Sequence, residues 1–292
     1  MNIAYCILCH KNSNVLRECI NYLSPQNDLF IHVDKKSNIN DFSEYNSKVI
    51  FVKNRIDVKW GHFSQVEATL QLLKETNIKH YDYIFLLSGD CLPIKSEKFI
   101  KEFLEKNYPN EYIALDKNYK EIKKRIEYKY NSLYYKKNCC LFIRIIRKIQ
   151  SKFNILPKNK LFRELPKLYK GTQWFGITGK LKVYILDFLR ENPRYIEAFK
   201  NSFCCDEIFF HTIIFNSEFK DYVYDAKDKS NICFQALRYI DWKSGPDYPK
   251  ILNEDDFDKM LKSECLFARK FDENIDFNLY KHIFLEVNQN LL

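Results

Sequence analysis

Glycine is scarce in this sequence, with six residues among 292, and both glycine-rich nucleotide-binding motifs are missing. Neither GxGxxG nor GxxxxGK[ST] occurs, which disfavours a dinucleotide-binding domain and a P-loop phosphate site. Apolar runs are short, and none reaches the length that a helix needs to span a bilayer. No signal-peptide pattern precedes the first strand-like segment, so we expect a cytoplasmic protein.

The ten cysteines lack the spacing of a disulfide framework. Cys6 and Cys9 match a CxxC spacing, but they lie in a strand pattern, where this separation places their side chains on opposite faces. No second CxxC accompanies them. We therefore expect free thiols, most of them buried.

What the sequence does contain favours one globular domain of the α/β class over residues 1–292. Apolar residues make up 46% of the chain and aromatic residues 16%, which is typical of a packed core. Strand-like and helix-like segments alternate through the first half, and this alternation predicts a mostly parallel sheet with helices on both faces. The predicted strands are Ile3–Cys9, Leu29–Val33, Val49–Val52 and Tyr81–Leu87. The predicted helices are one that is capped by Asn12 or Ser13 and ends at Leu23, and His62–Leu73, Ser96–Asn107 and Leu181–Leu189.

Polar residues follow these strands. Cys9 and His10 end the first strand, and Asp34, Arg55 and Asp90 follow the others. Because ligands bind at the carboxyl ends of strands in such sheets, we expect these residues to meet in a nucleotide pocket. Each alone is also explained as a turn, capping or core residue.

The positive charge is concentrated in one segment. Residues 117–170 hold seventeen Lys and Arg against three acids, so the remainder of the chain is net negative by five. A basic segment points to an anionic partner, although it is also common on a solvated face. Inside it, the helical pattern of 141–149 places Arg144, Arg147 and Lys148 opposite an apolar face. This pattern fits a helix on an anionic membrane surface, or a helix packed on the core.

A non-enzymatic alternative also rests on this basic segment. Its tyrosines could stack on bases or sugars, as in a polyanion- or nucleic-acid-binding module. These tyrosines are Tyr128, Tyr130, Tyr134 and Tyr135. No RRM, KH or helix-turn-helix signature accompanies them, so we expect no nucleic-acid partner.

The stretch 206–214 predicts one amphipathic helix. Asp206 stands where an N-cap or first-turn acid is favoured, and Glu207 then projects from the first turn. A carboxylate beside an aromatic pair is a candidate general base, because partial burial raises proton affinity. The pattern is equally typical of an ordinary helix start.

Two further segments carry candidate site residues. Trp174 begins an apolar strand and could pack on a sugar face or lie in the core. Arg269 and Lys270 are embedded in an apolar segment, where buried cations need an anion. Alternatively, their stems extend to solvent.

Six blocks stand in collinear order across almost the whole chain: Ile31-His32-Val33-Asp34, Trp60-Gly61, the stretch Leu87–Lys95, Gly171-Thr172-Gln173-Trp174-Phe175, Asp206-Glu207-Ile208-Phe209-Phe210-His211-Thr212, and Leu266-Phe267-Ala268-Arg269-Lys270-Phe271. Together they resemble the core-2/I-branching β-1,6-N-acetylglucosaminyltransferases and the related peptide O-xylosyltransferases. The motifs Phe-Phe-His-Thr and Ala-Arg-Lys-Phe are closer to those of the xylosyltransferases.

The resemblance implies a GT-A-like Rossmann-type fold and an inverting transfer from a UDP-sugar, with N-acetylglucosamine or xylose as the sugar. It implies neither a metal nor another cofactor, whereas most GT-A enzymes hold a metal on a DxD motif. The corresponding position here reads Ser88-Gly89-Asp90, with one carboxylate. A metal held by Asp90 and Asp34 is the alternative.

The resemblance also implies roles for individual residues. Glu207 matches the catalytic base, and Arg269 and Lys270 match diphosphate-binding positions, with Lys250 as a stand-in for a second arginine. Candidates for the nucleotide-sugar pocket are therefore Cys9, His10, Asp34, Arg55, Asp90, Arg269 and Lys270. Candidates for the acceptor side are Gln173, Trp174, Asp241 and Trp242.

The partners expected from the resemblance are a UDP-sugar and an acceptor hydroxyl. The hydroxyl could belong to a glycan, a lipid-linked saccharide or a protein. The basic segment adds peripheral contact with the anionic inner face of a membrane. The acceptor-binding basic residues of the family do not align with this segment, so the sequence leaves the acceptor open.

Overall fold

A computed structural model describes residues 1–117, 122–136, 140–152, 155–246 and 248–286 of the chain. Within them, two β-sheets are covered by helices. The six-stranded sheet has the order β3-β2-β1-β4-β7-β6, and the three-stranded sheet has the order β5-β9-β8. The strands are β1 Ile3–Cys9, β2 Asp28–Val33, β3 Ile50–Phe51, β4 Tyr83–Ser88, β5 Leu92–Pro93, β6 Tyr112–Ile113, β7 Phe175–Thr178, β8 Arg238–Tyr239 and β9 Phe267–Ala268.

The larger sheet confirms the predicted α/β class. Strands β1 to β4 pair in parallel, whereas β7 runs antiparallel to both β4 and β6. Alternate residues of β1 enter two different cores: Tyr5, Ile7 and Cys9 belong to one, and Ala4 and Cys6 to the other. Such alternation requires apolar cover on both faces of the sheet. The same alternation confirms that Cys6 and Cys9 point to opposite faces.

The helices begin largely where the sequence places their caps. The hydroxyls of Ser13, Ser96 and Thr178 accept hydrogen bonds from amides three residues later, at the start of α1, α3 and α6. The helices are α1 Asn14–Leu23, α2 Ser64–Glu75, α3 Glu97–Lys106, α4 Ile122–Glu127, α5 Leu141–Lys152, α6 Gly179–Glu191, α7 Pro193–Phe199, α8 Phe209–Phe215, α9 Phe257–Leu261 and α10 Phe277–Lys281. In the described ranges, no helix combines the length and the apolar content needed to cross a bilayer.

The cysteines of the described ranges are free thiols, as predicted, and most of them are buried. Cys139 lies outside these ranges. Burial raises the pKa of the Cys6 and Cys9 thiols well above the ordinary value. Such thiols pack as small apolar residues.

The smaller sheet brings the C-terminal part of the chain to the end of β4. Strand β9 pairs with β5, which follows β4 closely, and with β8. The amide of Phe271 donates to the carbonyl of Asp90 at 3.3 Å. The two residues that follow β9, Arg269 and Lys270, are therefore held near the carboxyl end of the main sheet.

A buried acid supports the other edge of the sheet. The carboxylate of Glu111 accepts hydrogen bonds from the amide of Thr178 at 2.8 Å and from its hydroxyl at 2.6 Å. Glu111 is 1% exposed. Burial raises its pKa to about 7, although the two hydrogen bonds from Thr178 act in the opposite direction.

We predict that Glu111 gives the protein a stability that falls as the pH rises. The folded pKa of about 7 lies above the unfolded value of about 4.3, so the folded state binds more protons between these values. The stabilisation is complete below the unfolded pKa and is lost as the pH rises through about 7. In the wild type, this titration should lower the free energy of unfolding by on the order of 3 kcal/mol between pH 4 and pH 7. Glu111→Gln should abolish this decrease, because the amide does not titrate. Urea unfolding at several pH values measures the free energy of unfolding of both proteins. The same change of this free energy with pH in wild type and variant would contradict the prediction.

Candidate active site

The strand ends bring together the residues that the sequence predicts to bind a nucleotide. The carbonyl of Cys9 accepts the amide of Asp34 at 2.8 Å, and the carbonyl of Leu8 accepts the amide of Gly89 at 2.9 Å. The thiol of Cys9 also lies within electrostatic reach of both Asp34 and Asp90. The ends of β1, β2 and β4 therefore meet at one edge of the sheet, as the parallel order requires.

Several of these residues hold the loop that follows β2. Arg55 donates from Nη1 to the carbonyl of Ser37 at 3.0 Å and lies 3.4 Å from that of Asp34. The buried carboxylate of Asp34 accepts from the amide and from the ammonium of Lys36, both at 2.9 Å. His10 is exposed, and its carbonyl accepts the hydroxyl of Ser37 at 2.6 Å. Their contacts order the loop, and a role in binding the nucleoside stays a prediction.

Arg269 joins the two sheets at this edge. Its guanidinium lies 4.3 Å from the centre of the Trp174 ring, and its Nε donates to the hydroxyl of Ser88 at 3.2 Å. Its Nη2 lies 3.9 Å from the carboxylate of Asp90. Trp174 is buried among core residues. This placement favours the core alternative for Trp174, with its ring face supporting the arginine.

The neighbouring cations differ in their surroundings. Lys270 follows directly after Arg269, is partly buried, and its carbonyl accepts the amide of Leu252 at 2.7 Å. Lys250 forms an ion pair with the buried carboxylate of Asp256 at 2.6 Å. The geometry therefore gives Lys250 a structural partner, and its role as a phosphate ligand stays a prediction.

The prediction of one helix over residues 206–214 was wrong about where the helix begins. Helix α8 begins at Phe209, and Asp206 and Glu207 lie before it in a 3-10 turn, Cys205–Glu207. Neither acid caps α8, whose N-cap residue makes no side-chain hydrogen bond. Cys204 precedes the turn in the left-handed region at φ 48°, and Ile208, between the turn and the helix, has a non-helical φ of −125°, so the turn stays separate from the helix.

The basic segment supplies two cations to Glu207. Arg125 donates from Nη1 to Oε2 of Glu207 at 2.7 Å, and Nζ of Lys170 lies 4.0 Å from the same oxygen. Lys170 also pairs with Asp116 at 2.8 Å. Burial alone would lower the pKa of Arg125, but the charge and hydrogen bond of Glu207 raise it above the usual value. The charge excess of residues 117–170 is the sequence signal for these two cations, and it does not single out Arg125 or Lys170.

Asp206 faces inward, behind Glu207. It is 8% exposed, and Gln65 donates to its Oδ2 at 3.5 Å. Burial raises the pKa of Asp206 well above its ordinary range, and the charge of Glu207 raises it further. Of the two adjacent acids, the buried one is disfavoured as an anion. Glu207, whose side chain is 35% exposed, is therefore the acid that can face a ligand.

One short segment links Glu207 to Arg269. The amide of Gly171 donates to the carbonyl of Glu207 at 2.9 Å, and Trp174, three residues later, carries Arg269 on its ring. Three residue steps span at most roughly 11 Å. The anionic and cationic side chains are therefore held at opposite ends of a single segment, here called the 171–174 segment.

Trp242 is an aromatic side chain that is open to solvent. It is 49% exposed and contacts the buried thiol of Cys233. Burial raises the pKa of Cys233 to about 11, and the thiol lies within electrostatic reach of both Arg269 and Glu207. The carboxylate of Asp241 accepts the amides of Lys243 and Ser244 and so closes a turn beneath Trp242. Gln173 is partly buried.

Three tyrosines in the described part of the basic segment pack together and do not form a stacking surface. Tyr130, Tyr134 and Tyr135 pack around the ring of Phe203, with ring centres 5.4, 6.1 and 6.5 Å away. Tyr135 also contacts the ring of His62. This cluster anchors the segment to the turn that carries Glu207, so it does not offer bases or sugars a row of free rings.

A cleft of about 740 Å³ opens beside Asp116, the acid that pairs with Lys170. Its lining includes three acids and three lysines, and this mixture suits a polar, uncharged ligand rich in hydroxyls. The lining residues that carry charge are Asp116, Lys117, Lys220, Asp225, Asp228 and Lys229. Together with the 171–174 segment, the cleft places a carboxylate, several cations and space for a sugar in one region.

The sequence model of the Core-2/I-Branching enzyme family matches residues 3–261. The chain belongs to this family. The matched range includes Asp34, Asp90, Trp174 and Glu207, but it ends before Arg269 and Lys270. The place of those two cations in this branching-enzyme family member therefore rests on the contacts of Arg269 with Ser88, Asp90 and Trp174 described above.

Among curated relatives, the chain is similar to xylosyltransferase sqv-6 of two nematodes. Identity is 22% over 275 residues for Caenorhabditis briggsae and 24% over 286 residues for Caenorhabditis elegans, covering 86% of this chain in both cases. The chain spans about a third of the length of these relatives, 32%. Mouse xyloside xylosyltransferase 1 in its apo form overlaps with a TM-score of 0.38 at 12% identity, covering 92% of this chain and 97% of that one. An overlap this loose carries no argument.

In this family member, neighbouring atoms leave no room for a side chain at position 171, so the position requires glycine. A Cβ at this position would stand 1.8 Å from the carbonyl oxygen of Ala114 and 2.4 Å from Nε2 of His211. His211 is completely buried, and burial lowers its pKa to about 3, so it packs as a neutral ring beneath the segment. The close approach lets the 171–174 segment reach the Glu207 turn.

We predict that Gly171→Ala destabilises the fold by about 3 kcal/mol or more, because a backbone carbonyl cannot move aside as a side chain can. Gly245→Ala is the matched control, since its added Cβ would meet the exposed ring of Tyr248 at 2.8 Å, and that ring can rotate away. Thermal unfolding of both variants measures the difference. Equal melting temperatures for the two variants would contradict the prediction.

Proposed function

We propose that this chain is an inverting, metal-independent glycosyltransferase that moves a sugar from a UDP-sugar to an acceptor hydroxyl. The observation that carries the proposal is the 171–174 segment, which holds a partly exposed carboxylate at one end and a guanidinium at the other. Group transfer from a nucleotide sugar needs both: a base for the incoming hydroxyl and a cation for the departing diphosphate.

In the proposed reaction, Glu207 takes the proton of the acceptor hydroxyl as its oxygen attacks the anomeric carbon. The new glycosidic bond forms on the face opposite the leaving group, and the bond from the anomeric carbon to the UDP oxygen breaks. Arg125 and Lys170 both approach Oε2 of Glu207, so they orient the carboxylate, and Oε1 is the oxygen assigned to the proton. Family membership supports this assignment, since Glu207 matches the position of the family's base.

The diphosphate side is assigned to Arg269 and Lys270. A guanidinium carries five N–H donors, and the hydrogen bond to Ser88 takes one of them. The developing negative charge on the leaving UDP would be stabilised by charge-assisted hydrogen bonds. Metal independence is supported by the position of Arg269, whose Nη2 lies 3.9 Å from Asp90, the lone carboxylate where other GT-A enzymes hold a metal.

The acceptor is assigned to the cleft beside Asp116 and to the exposed ring of Trp242. A sugar can stack on an exposed tryptophan, and the mixed charges of the cleft offer hydrogen-bond partners to its hydroxyls. Xylose and N-acetylglucosamine are the donor sugars to test first, because the named relatives are xylosyltransferases and the sequence blocks resemble N-acetylglucosaminyltransferases. The acceptor hydroxyl is assigned to a glycan, a lipid-linked saccharide or a protein.

We predict that Glu207→Gln lowers the transfer rate by about 10²–10⁴-fold, because an amide cannot accept the proton. UDP should bind the variant about as tightly as it binds the wild type. The assay measures UDP release from UDP-xylose and UDP-N-acetylglucosamine in excess EDTA. Glu197→Gln, an exposed acid on α7, is the control and should keep full activity. Transfer by Glu207→Gln at the wild-type rate would reject the base, and dependence on added metal would reject metal independence.

We predict that Arg269→Gln weakens UDP binding about 10–100-fold, as expected for the loss of charge-assisted hydrogen bonds. The affinity for uridine, which carries no phosphate, should fall much less. Calorimetry with both ligands separates the two effects, and Arg190→Gln, on the exposed face of α6, is the control. Equal losses for UDP and uridine would place Arg269 away from the phosphates.

A further inference from the structure

Helix α5 turns its apolar side to solvent. Leu141 is 72% exposed, Phe142 70%, and Ile145 and Ile149 46% each. At the helical spacing of 100° per residue these four side chains fall within an arc of about 100° on the helix surface. A helix of a globular protein normally buries such a stripe, so the arrangement of α5 is the reverse of the usual one.

The opposite side of α5 is attached to the protein by polar contacts. Arg147 donates from Nε to the carbonyl of Leu133 at 3.0 Å and from Nη2 to that of Lys136 at 2.8 Å. Its guanidinium also lies 5.7 Å from the ring centre of Tyr134, which belongs to the aromatic cluster around Phe203. These contacts fix the rotation of the helix about its axis. The apolar stripe therefore faces outward because the inner face is already engaged.

Cations border the stripe. Arg144 and Lys148 are exposed and lie next to Leu141 and Ile145 around the helix. The segment 117–170 that contains them has seventeen Lys and Arg against three acids. An apolar stripe with a cationic border fits a bilayer surface that carries anionic headgroups, because the stripe enters the acyl boundary while the cations meet the phosphates.

The same charges argue against a second copy of the chain as the cover. A twofold interface uses the same patch on both copies, so it would bury two sets of Arg144 and Lys148 in one interface. Like charges at a buried interface cost free energy. We therefore propose that α5 is a membrane-docking helix that binds the surface of anionic bilayers through Leu141, Phe142, Ile145 and Ile149, with Arg144 and Lys148 on the headgroups.

Docking would place the active site close to the bilayer. The basic segment that carries α5 outward also carries Arg125 inward to Glu207. If the proposed transferase function holds, the acceptor is then presented at or near the membrane. The docking itself does not require that function and is tested separately.

Vesicle flotation with the full chain tests the proposal. The vesicles contain phosphatidylcholine alone, or equimolar phosphatidylcholine and phosphatidylglycerol. Wild-type protein should float with the anionic vesicles and much less with the neutral ones. Arg144→Gln with Lys148→Gln should weaken binding roughly 30-fold, at about 1 kcal/mol for each cation. Phe142→Ser with Ile145→Ser should weaken it roughly tenfold or more.

The control is Ile78→Ser with Val183→Ser, which removes two exposed apolar side chains elsewhere, 60% and 50% exposed. It should float like the wild type, and circular dichroism should show that all variants are folded. Glu207→Gln should also float normally, so a failure of the proposed chemistry leaves this test intact. Failure of the wild type to float, or equal losses in the control, would overturn the proposal. A dimer in sedimentation that Phe142→Ser with Ile145→Ser abolishes would identify a second copy as the partner instead.

Discussion

The stacking of Arg269 on Trp174 is the contact on which the arrangement of the site depends. A guanidinium whose side chain is 11% exposed needs partners, because burying an unpaired charge is costly. Its partners come from two separate parts of the chain, Ser88 and Asp90 at the end of β4 and Trp174 just before β7, and the arginine itself follows β9. The cation thereby ties the smaller sheet to the larger one. The same contact fixes where the guanidinium lies relative to Glu207.

The basic segment serves two surfaces at once. Its inner side contributes Arg125 and Lys170 to Glu207, and the tyrosines around Phe203 hold this side against the turn. Its outer side presents α5 with an exposed apolar stripe. The cations of the basic segment therefore have different roles. Two of them neutralise a carboxylate in the site, and others remain available to an external anionic surface.

Local sequence patterns predicted the parts of the fold that are governed by neighbouring residues. The strand Ile3–Cys9 and the helices capped by Ser13 and Ser96 were confirmed, because side-chain periodicity and capping are read from residues a few positions apart. The same reasoning failed at Asp206 and Glu207. There the non-helical backbone of Ile208 separates a 3-10 turn from the helix, and no local pattern of polar and apolar residues signals such a break.

The sequence by itself determined the α/β class, the strand ends that bear polar residues, and, through its collinear blocks, the family. Tertiary structure alone decided which cations meet Glu207, since Arg125 and Glu207 lie 82 positions apart. It also decided which side of α5 faces outward. Periodicity defines an apolar face of a helix, but the direction of that face depends on the packing of distant residues, here the bonds of Arg147 to the chain before the helix.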